Sequence, residues 1–282
     1  ASSIACASSK DYSHSNDDED EQQEEEQQQM QEGLSVASPP EDYTTLLPDE
    51  CLMFIFHKVP APDLNQCSLA CTRWHAIESR SRHRLSLRAH ADIVPSLPSI
   101  LARFDTITKL ILRCDRKTPS ITDKALAIVG RQCAHLRKLK IKGCRQLTDS
   151  GLDLFAPLAA PTLQKLSLGT CGFGARGINS IVTHCTLLED LTVKRLRGLL
   201  EGPAEFIRPA NGSIRRLCLK ELFNAQLFAP LMAGSKSLRT LMICRNSGNW
   251  DSLLECMIAD RVPSLVELHM ERIHLSDRGL HA

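Results

Sequence analysis

Twelve cysteines and ten histidines are the side chains of this 282-residue chain with the most obvious capacity for chemistry. A thiolate can attack an acyl group or hold a soft metal, and a neighbouring imidazole can act as its base. The spacing supports neither use. No Cys-x-x-Cys occurs, and the tightest pair, Cys67 and Cys71, is spaced as one helical face, so no metal site is expected. Cys133 with His135 and His184 beside Cys185 are the nearest thiol–imidazole pairs, and neither has a third group to orient the base. No catalytic residue is expected. The lysines differ: Lys138, Lys140 and Lys142 alternate with the period of a strand, which places three ammonium groups on one face. That pattern binds anions by charge and makes no bonds.

The elements that must position these lysines follow from a repeat. Aligning "KLILRC", "KLKIKGC", "KLSLGTC", "DLTVKRL", "RLCLKEL", "TLMICRN" and "ELHMERI" gives marker leucines Leu110, Leu139, Leu166, Leu191, Leu217, Leu241 and Leu268, with Leu85 of "RLSLRA" before them. The intervals run from 24 to 29 residues. An apolar residue stands two after every marker, and in most units another stands three before it, the LxxLxL signature of a leucine-rich repeat. One unit cannot bury its apolar strand face alone, so neighbours stack into a curved solenoid. Return segments such as "ITDKALAIVGRQC" and "LTDSGLDLFAPLA" open on a Thr-Asp pair able to cap a helix. "RGLLEGPAEFIRPANG" carries too much Gly and Pro for a full outer helix. Cys144, Cys171 and Asn246, three residues after the second strand leucine, are expected to turn inward and bond backbone groups where strand gives way to turn.

Charge divides the chain. Residues 1–42 hold twelve acidic side chains and one lysine, whereas residues 43–282 hold 33 basic against 21 acidic. The first stretch, with "SNDDEDEQQEEEQQQMQEG", has too few apolar groups to offset the entropy of ordering and reads as a disordered acidic arm. No signal-peptide pattern opens the chain, and no apolar run reaches the roughly 18 residues needed to span a bilayer. The compartment is therefore expected to be reducing, with no membrane partner. The chain opens on Ala1 and stops as a return segment begins at "IHLSDRGLHA", so the repeats are expected to be truncated at the C-terminus.

Residues 43–80 read as short helices. Asp49 and Glu50 suit the positive end of a helix dipole, Pro48 suits its first turn, and Leu52, Ile55, Phe56 and Val59 share one face. Pro60 and Pro62 end that helix, and the segment from Asp63 through Trp74 to Ile77 is compatible with one helix or a broken pair. Helices this short need another surface to pack on. They could cap the solenoid, dock onto a partner, or do both.

"LLPDECLMFIF" followed by "DLNQCSLACTRW" resembles the F-box from about Leu46 to Ile77: the LPDE opening, the apolar helix, Asp63-Leu64 and the closing "CTRW". "SRHRLSL", "KLILRCDRK", "FGARGIN" and "VKRLRG" are similar to plant F-box/leucine-rich-repeat proteins of the Vier F-box group, from about Asp42 to Arg197. The expected fold is α/β: an acidic arm (1–42), a short all-α F-box (43–80) and a leucine-rich-repeat solenoid with one parallel strand per repeat (81–282). The resemblance implies docking onto a Skp-family adaptor, through it onto a cullin, and hence a substrate-recognition role in an SCF-type ubiquitin ligase in the nucleus or cytoplasm. Carried over by position, the adaptor contacts fall on Leu47, Pro48, Leu52, Ile55, Leu64, Leu69, Cys71 and Trp74. Ala70 stands where the family usually has a larger aliphatic residue, a loss of about 1 to 2 kcal/mol if that site is buried.

The substrate would lie on the concave strand face, whose cations are Lys109, Arg113, Lys138, Lys140, Lys142, Lys165, Lys194, Arg216 and Lys220. An acidic or phosphorylated protein segment is the expected ligand, against the bland alternative that these side chains only solvate the surface. No cofactor is expected from the residues themselves. An inositol phosphate or a small plant hormone enters only through similarity to the auxin and jasmonate receptors. The alternatives are a non-proteolytic F-box/leucine-rich-repeat scaffold, a ligand-gated receptor, and a thiol enzyme, which would need an activated, solvent-facing cysteine. Nucleic acid is not an expected partner, because aromatic residues for stacking are only 4% of the chain.

Overall fold

The marker leucines set the architecture. In the computed structural model, which describes residues 42–201, 205–210, 212–248, 250, 251, 254 and 264–277, Leu85, Leu110, Leu139, Leu166, Leu191, Leu217, Leu241 and Leu268 pair rung to rung across a single parallel sheet. The acidic arm and most of "WDSLLECMIADRV" lie outside the described residues.

Three helices come first: α1 (Asp49–Lys58), α2 (Ala61–Ala70) and α3 (Thr72–Ser81). Eight strands follow, β1 (Arg84–Arg88), β2 (Lys109–Arg113), β3 (Lys138–Lys142), β4 (Lys165–Gly169), β5 (Asp190–Lys194), β6 (Arg216–Lys220), β7 (Thr240–Cys244) and β8 (Glu267–Glu271), in sequence order across the sheet. Between them run the return helices α4 (Leu97–Arg103), α5 (Asp123–Gln132), α6 (Asp149–Ala159), α7 (Ala175–His184), α8 (Gly198–Glu201) and α9 (Ala229–Gly234). Return helices α4 to α7 pack in order on one another, and one apolar cluster runs from Leu85 to Trp250 between helices and sheet. Among its described residues the Gly/Pro-rich segment holds one helical turn, α8, in keeping with its composition.

The chain forms two compact units, Ala1–Pro48 and Asp49–Ala282, so the three helices and the repeats belong to the same one. The described part of the first unit is a 3₁₀ turn, Tyr43–Leu46, whose preceding Asp42 accepts the Thr44 backbone N–H at 3.0 Å. Helix α1 begins at Asp49, after Pro48, and does not include the proline in its first turn.

Inward-turning polar side chains behave as the repeat requires. Asn246 accepts the Leu222 N–H at 2.8 Å and donates to the Leu219 carbonyl at 3.1 Å. Buried Cys171 donates to the Gly169 carbonyl at 3.3 Å, and Cys144 is buried at the equivalent place. The Thr-Asp pairs act differently from the expected caps. Thr122 and Thr148 occupy the N-cap positions of α5 and α6 without a side-chain capping bond. The aspartates instead reach across to the next repeat. Asp123 accepts the Thr148 N–H at 2.8 Å and its hydroxyl at 2.6 Å, and Asp149 accepts the Gly174 N–H at 2.6 Å. Gly151 and Gly177 make room for these carboxylates: a Cβ there would stand 2.4 Å from Asp123 Oδ1 and 2.6 Å from Asp149 Oδ1.

Replacing Asp123 by Ala strands the Thr148 donors, so urea unfolding of Asp123→Ala should give a stability lower by about 1–2 kcal/mol. An unchanged transition midpoint would show that these carboxylates do not staple the repeats.

Candidate functional site

Two surfaces carry the residues singled out above, the first on the helices. Cys71 adopts extended backbone and breaks the second helical segment into α2 and α3; its Sγ accepts the Trp74 N–H at 3.4 Å, capping α3. Arg73 reaches from α3 to Asp49 at the start of α1, with Nε 3.0 Å from Oδ1. Phe56 meets the edge of Trp74 at 5.3 Å between ring centroids and 73° between planes.

This packing sorts the expected adaptor contacts. Leu52 and Leu64 are only 2% and 8% exposed, in a region where α1 and α2 each pack on α3; they support the surface and are not on it. Ile55 at 46%, Leu69 at 77% and exposed Cys71 face outward, and Trp74 is half-buried. Leu47 is half-buried and Pro48 exposed, both in the other compact unit. Phe54, 68% exposed with the Lys58 ammonium 5.4 Å from its ring centre, joins the outward apolar set. It falls off the Leu52/Phe56 stripe, and an aromatic on the polar side of an amphipathic helix is the signal that marks it.

The helices are fixed to the repeats by one buried carboxylate. Glu78 of α3 pairs with Arg82 and with Arg103 of α4, whose Nη2 lies 2.9 Å from Oε2; Arg103 Nε also donates to Ser79 at 2.9 Å. Arg82 in turn donates to Asn65 of α2 at 2.9 Å. Both guanidinium groups lie against the Phe104 ring, 5.2 and 4.8 Å from its centre.

The second surface is the concave face of the sheet. A hollow of about 560 Å³ opens over β3–β6, and its lining among the described residues includes Arg116, Lys140, Lys142, Arg145, Lys194, Arg195 and Lys220 but no carboxylate. Its floor is low because β4 presents Ser167 and Gly169 where β3 presents Lys140 and Lys142. Arg145 Nε is buried without a hydrogen-bond partner among the described residues. A smaller hollow of about 310 Å³ adjoins it, sharing Arg116, Arg145 and Arg195 and adding Leu200 and Phe223. Glu221 marks that boundary; Lys194 at 3.0 Å and Arg195 both pair with it, and the Lys194 hydrogen bond, followed by the charges of Arg195 and Arg245, lowers its pKa against the effect of burial.

Of the expected substrate residues, Lys140, Lys142, Lys194 and Lys220 meet in the hollow. Lys109, Lys138, Lys165 and Arg216 head their strands, and Arg113 ends β2; none of these five lines it. Burial first, and then the charges of Arg84, Lys138 and Lys140, lower the Lys109 pKa. Arg116, Arg145 and Arg195 were not anticipated, since they stand in the turns just past the strands. Extending the repeat frame four residues beyond Leu112 and Ile141 would have reached Arg116 and Arg145. The buried thiols of Cys133, Cys171 and Cys185 are pushed up to about 12 by desolvation, and that of Cys144 higher still, which suppresses the thiolate.

With this geometry in place, comparison with known proteins gives a consistent answer. Residues 44–87 match the F-box-like family. The chain is 28% identical over 151 residues to F-box/LRR-repeat protein 12 of Arabidopsis thaliana, covering 53% of this chain and 34% of that protein. It is 27% identical over 199 residues to a Transport inhibitor response 1-like protein of Oryza sativa subsp. japonica, covering 65% and 34%. Over 148 residues it is 26% identical to Coronatine-insensitive protein 1 of Arabidopsis thaliana, covering 47% and 24%. The matches thus span about a quarter to a third of the length of these curated relatives. A short helical F-box joined to a leucine-rich-repeat solenoid defines the class. The chain is similar to F-box/leucine-rich-repeat proteins of plants.

Removing the Glu78 carboxylate leaves two guanidinium groups facing each other over Phe104. Glu78→Ala should lower stability by about 3 kcal/mol in urea unfolding, with α3 loosened from the first repeat. A loss no larger than that of a surface substitution would remove this carboxylate from its anchoring role.

Proposed function

We propose that this chain is the substrate-recognition subunit of an SCF-type ubiquitin ligase, with the F-box docking on a Skp-family adaptor, and through it a cullin, while the concave face holds a protein substrate. The observation that carries this reading is the outward apolar set Phe54, Ile55 and Leu69 on a helical segment matching the F-box-like family and riveted to the solenoid through Glu78. An exposed cluster of large apolar side chains on a soluble surface marks a protein interface. Such a subunit contributes binding and no bond chemistry, and it would work in the nucleus or cytoplasm. Among the described residues no helix is long and apolar enough to cross a membrane, and the scarcity of aromatics argues against nucleic acid.

The substrate class follows from the hollow. Among the described residues, seven cationic side chains without a lining carboxylate, together with an Arg145 Nε that has no partner there, suit an acidic or phosphorylated segment. Leu200 and Phe223 beside it suit an apolar residue next to that charge. The volume of the hollow also favours a second reading, a ligand-gated receptor in which an inositol phosphate or a small acidic hormone fills the site. The narrower likeness to the Vier F-box group rests on the short strings that suggested it.

Two measurements test the two surfaces separately. In pull-down with a purified Skp-family adaptor, Ile55→Asp/Leu69→Asp should cut recovery by about tenfold or more, since both side chains are exposed and their loss does not disturb the core. Undiminished recovery would overturn the docking assignment. Lys140→Glu/Lys142→Glu should weaken binding of a phosphorylated acidic peptide by about tenfold and flatten its salt dependence. Equal affinity in both proteins would place the substrate elsewhere, and tight inositol hexakisphosphate binding with no peptide binding would select the ligand-gated reading.

A further inference from the structure

The basic face ends at β6, and the last two strands replace it with a different chemistry. Concave positions on β6 are Arg216, Cys218 and Lys220, on β7 Thr240, Met242 and Cys244, and on β8 Glu267, His269 and Glu271, aligned in that order by the parallel register. Cys244 pairs directly with Glu271, and His269 lies two residues earlier on the same face of β8. The Cys244 Sγ, a ring nitrogen of His269 and a carboxylate oxygen of Glu271 therefore all lie within 4.8 Å of one another.

This trio is not a by-product of the repeat. At the position of Cys244 the earlier strands carry Arg88, Arg113, Lys142, Gly169, Lys194 and Lys220, so no other rung up to β7 offers a thiol there. Nor does Cys244 have the role of Cys144 or Cys171, which stand past their strands and point inward. Cys244 is buried, Glu271 half-buried and His269 exposed, which closes one side of the triangle and opens the other to the groove. Arg245 holds the carboxylate in place, with Nε at 3.3 Å and Nη2 at 3.2 Å from the same oxygen, Oε1. A hydrogen-bonded ligating carboxylate of this kind is the usual support around a metal.

We propose that Cys244, His269 and Glu271 bind a single zinc ion on the concave face, leaving one coordination position open toward the groove. A thiolate, an imidazole and a carboxylate form a borderline-soft donor set suited to zinc, and three protein ligands leave the fourth tetrahedral place for water. Zinc–ligand bonds of about 2.0 to 2.3 Å put the donors of a tetrahedron on the order of 3.5 Å apart, so side-chain rotation within the observed triangle suffices. Binding releases the Cys244 proton to solvent as the thiolate forms on the metal, and Cys218 and Met242 keep further sulfur on adjoining rungs. Sequence spacing conceals the site because its ligands belong to two repeats.

The full chain, stripped of metal with a chelator, is titrated with Co²⁺ and then Zn²⁺. We expect roughly one equivalent of Co²⁺ with a thiolate-to-cobalt charge-transfer band, displaced by Zn²⁺. Cys244→Ser should abolish the band, and His269→Ala, at an exposed side chain, should weaken Zn²⁺ about tenfold or more in competition with a chromophoric chelator while circular dichroism stays unchanged. Cys51→Ser should bind as the parent does. No thiolate band in the parent protein, a band that survives Cys244→Ser, or loss of uptake on His90→Ala, which disrupts the separate trio His90, Cys114 and Asp115, would each overturn the assignment.

Discussion

A buried carboxylate anchors the three helices to the repeats. Glu78 has no access to water, and taking a charge out of water is tolerated only if its partners are close and well oriented. Arg82 and Arg103 supply that from opposite directions, one within α3's own continuation and one from the first return helix. The arrangement is costly to break and specific in geometry. A greasy contact at this junction would hold α3 equally well but would allow it to slide; two guanidinium groups sharing one carboxylate over a common aromatic ring do not. The outward apolar set on α1 and α2 consequently keeps a fixed direction relative to the groove.

Charge at the rim follows from backbone geometry. Thr170, Arg195, Glu221, Arg245 and Arg272, each at the corner where a strand ends, adopt positive φ between 51° and 56°. Glycine would take this conformation without strain, as Gly143 does in the third repeat. Using long charged residues instead aims Arg195, Glu221 and Arg245 along the groove edge, where Glu221 sits between the two arginines and Arg245 also reaches Glu271. The corner strain buys an ordered row of charges that alternates in sign, while the floor beside it stays positive.

The solenoid was legible because its signal is periodic. Eight leucines at restricted spacing must share one face, and every one of them pairs in register. What periodicity does not encode is how far a face turns. Leu52 belongs to the same apolar stripe as Ile55, yet the helices close over Leu52 and leave Ile55 outside. The Thr-Asp pairs misled for a related reason: a capping residue identifies a helix start, whereas the partner of Asp123 is 25 residues away in the next repeat. Arg116, Arg145 and Arg195 escaped because turns carry no strand alternation. Likewise, Cys244, His269 and Glu271 converge only once β7 and β8 lie side by side.

Like charge is also concentrated along the row where the first four strands begin. Parallel pairing stacks Arg84, Lys109, Lys138 and Lys165 on consecutive rungs, with strands about 4.8 Å apart, and like charges directly opposite one another destabilise a sheet. The effect registers on Lys109, whose charged form is disfavoured by burial and by three neighbouring cations. A solvating surface has no need to concentrate repulsion this way, since alternating signs would serve solubility and stabilise the rungs. The outer rim does alternate, through Arg195, Glu221 and Arg245. An anion laid along this row, beside the hollow, would relieve the repulsion on several rungs at once.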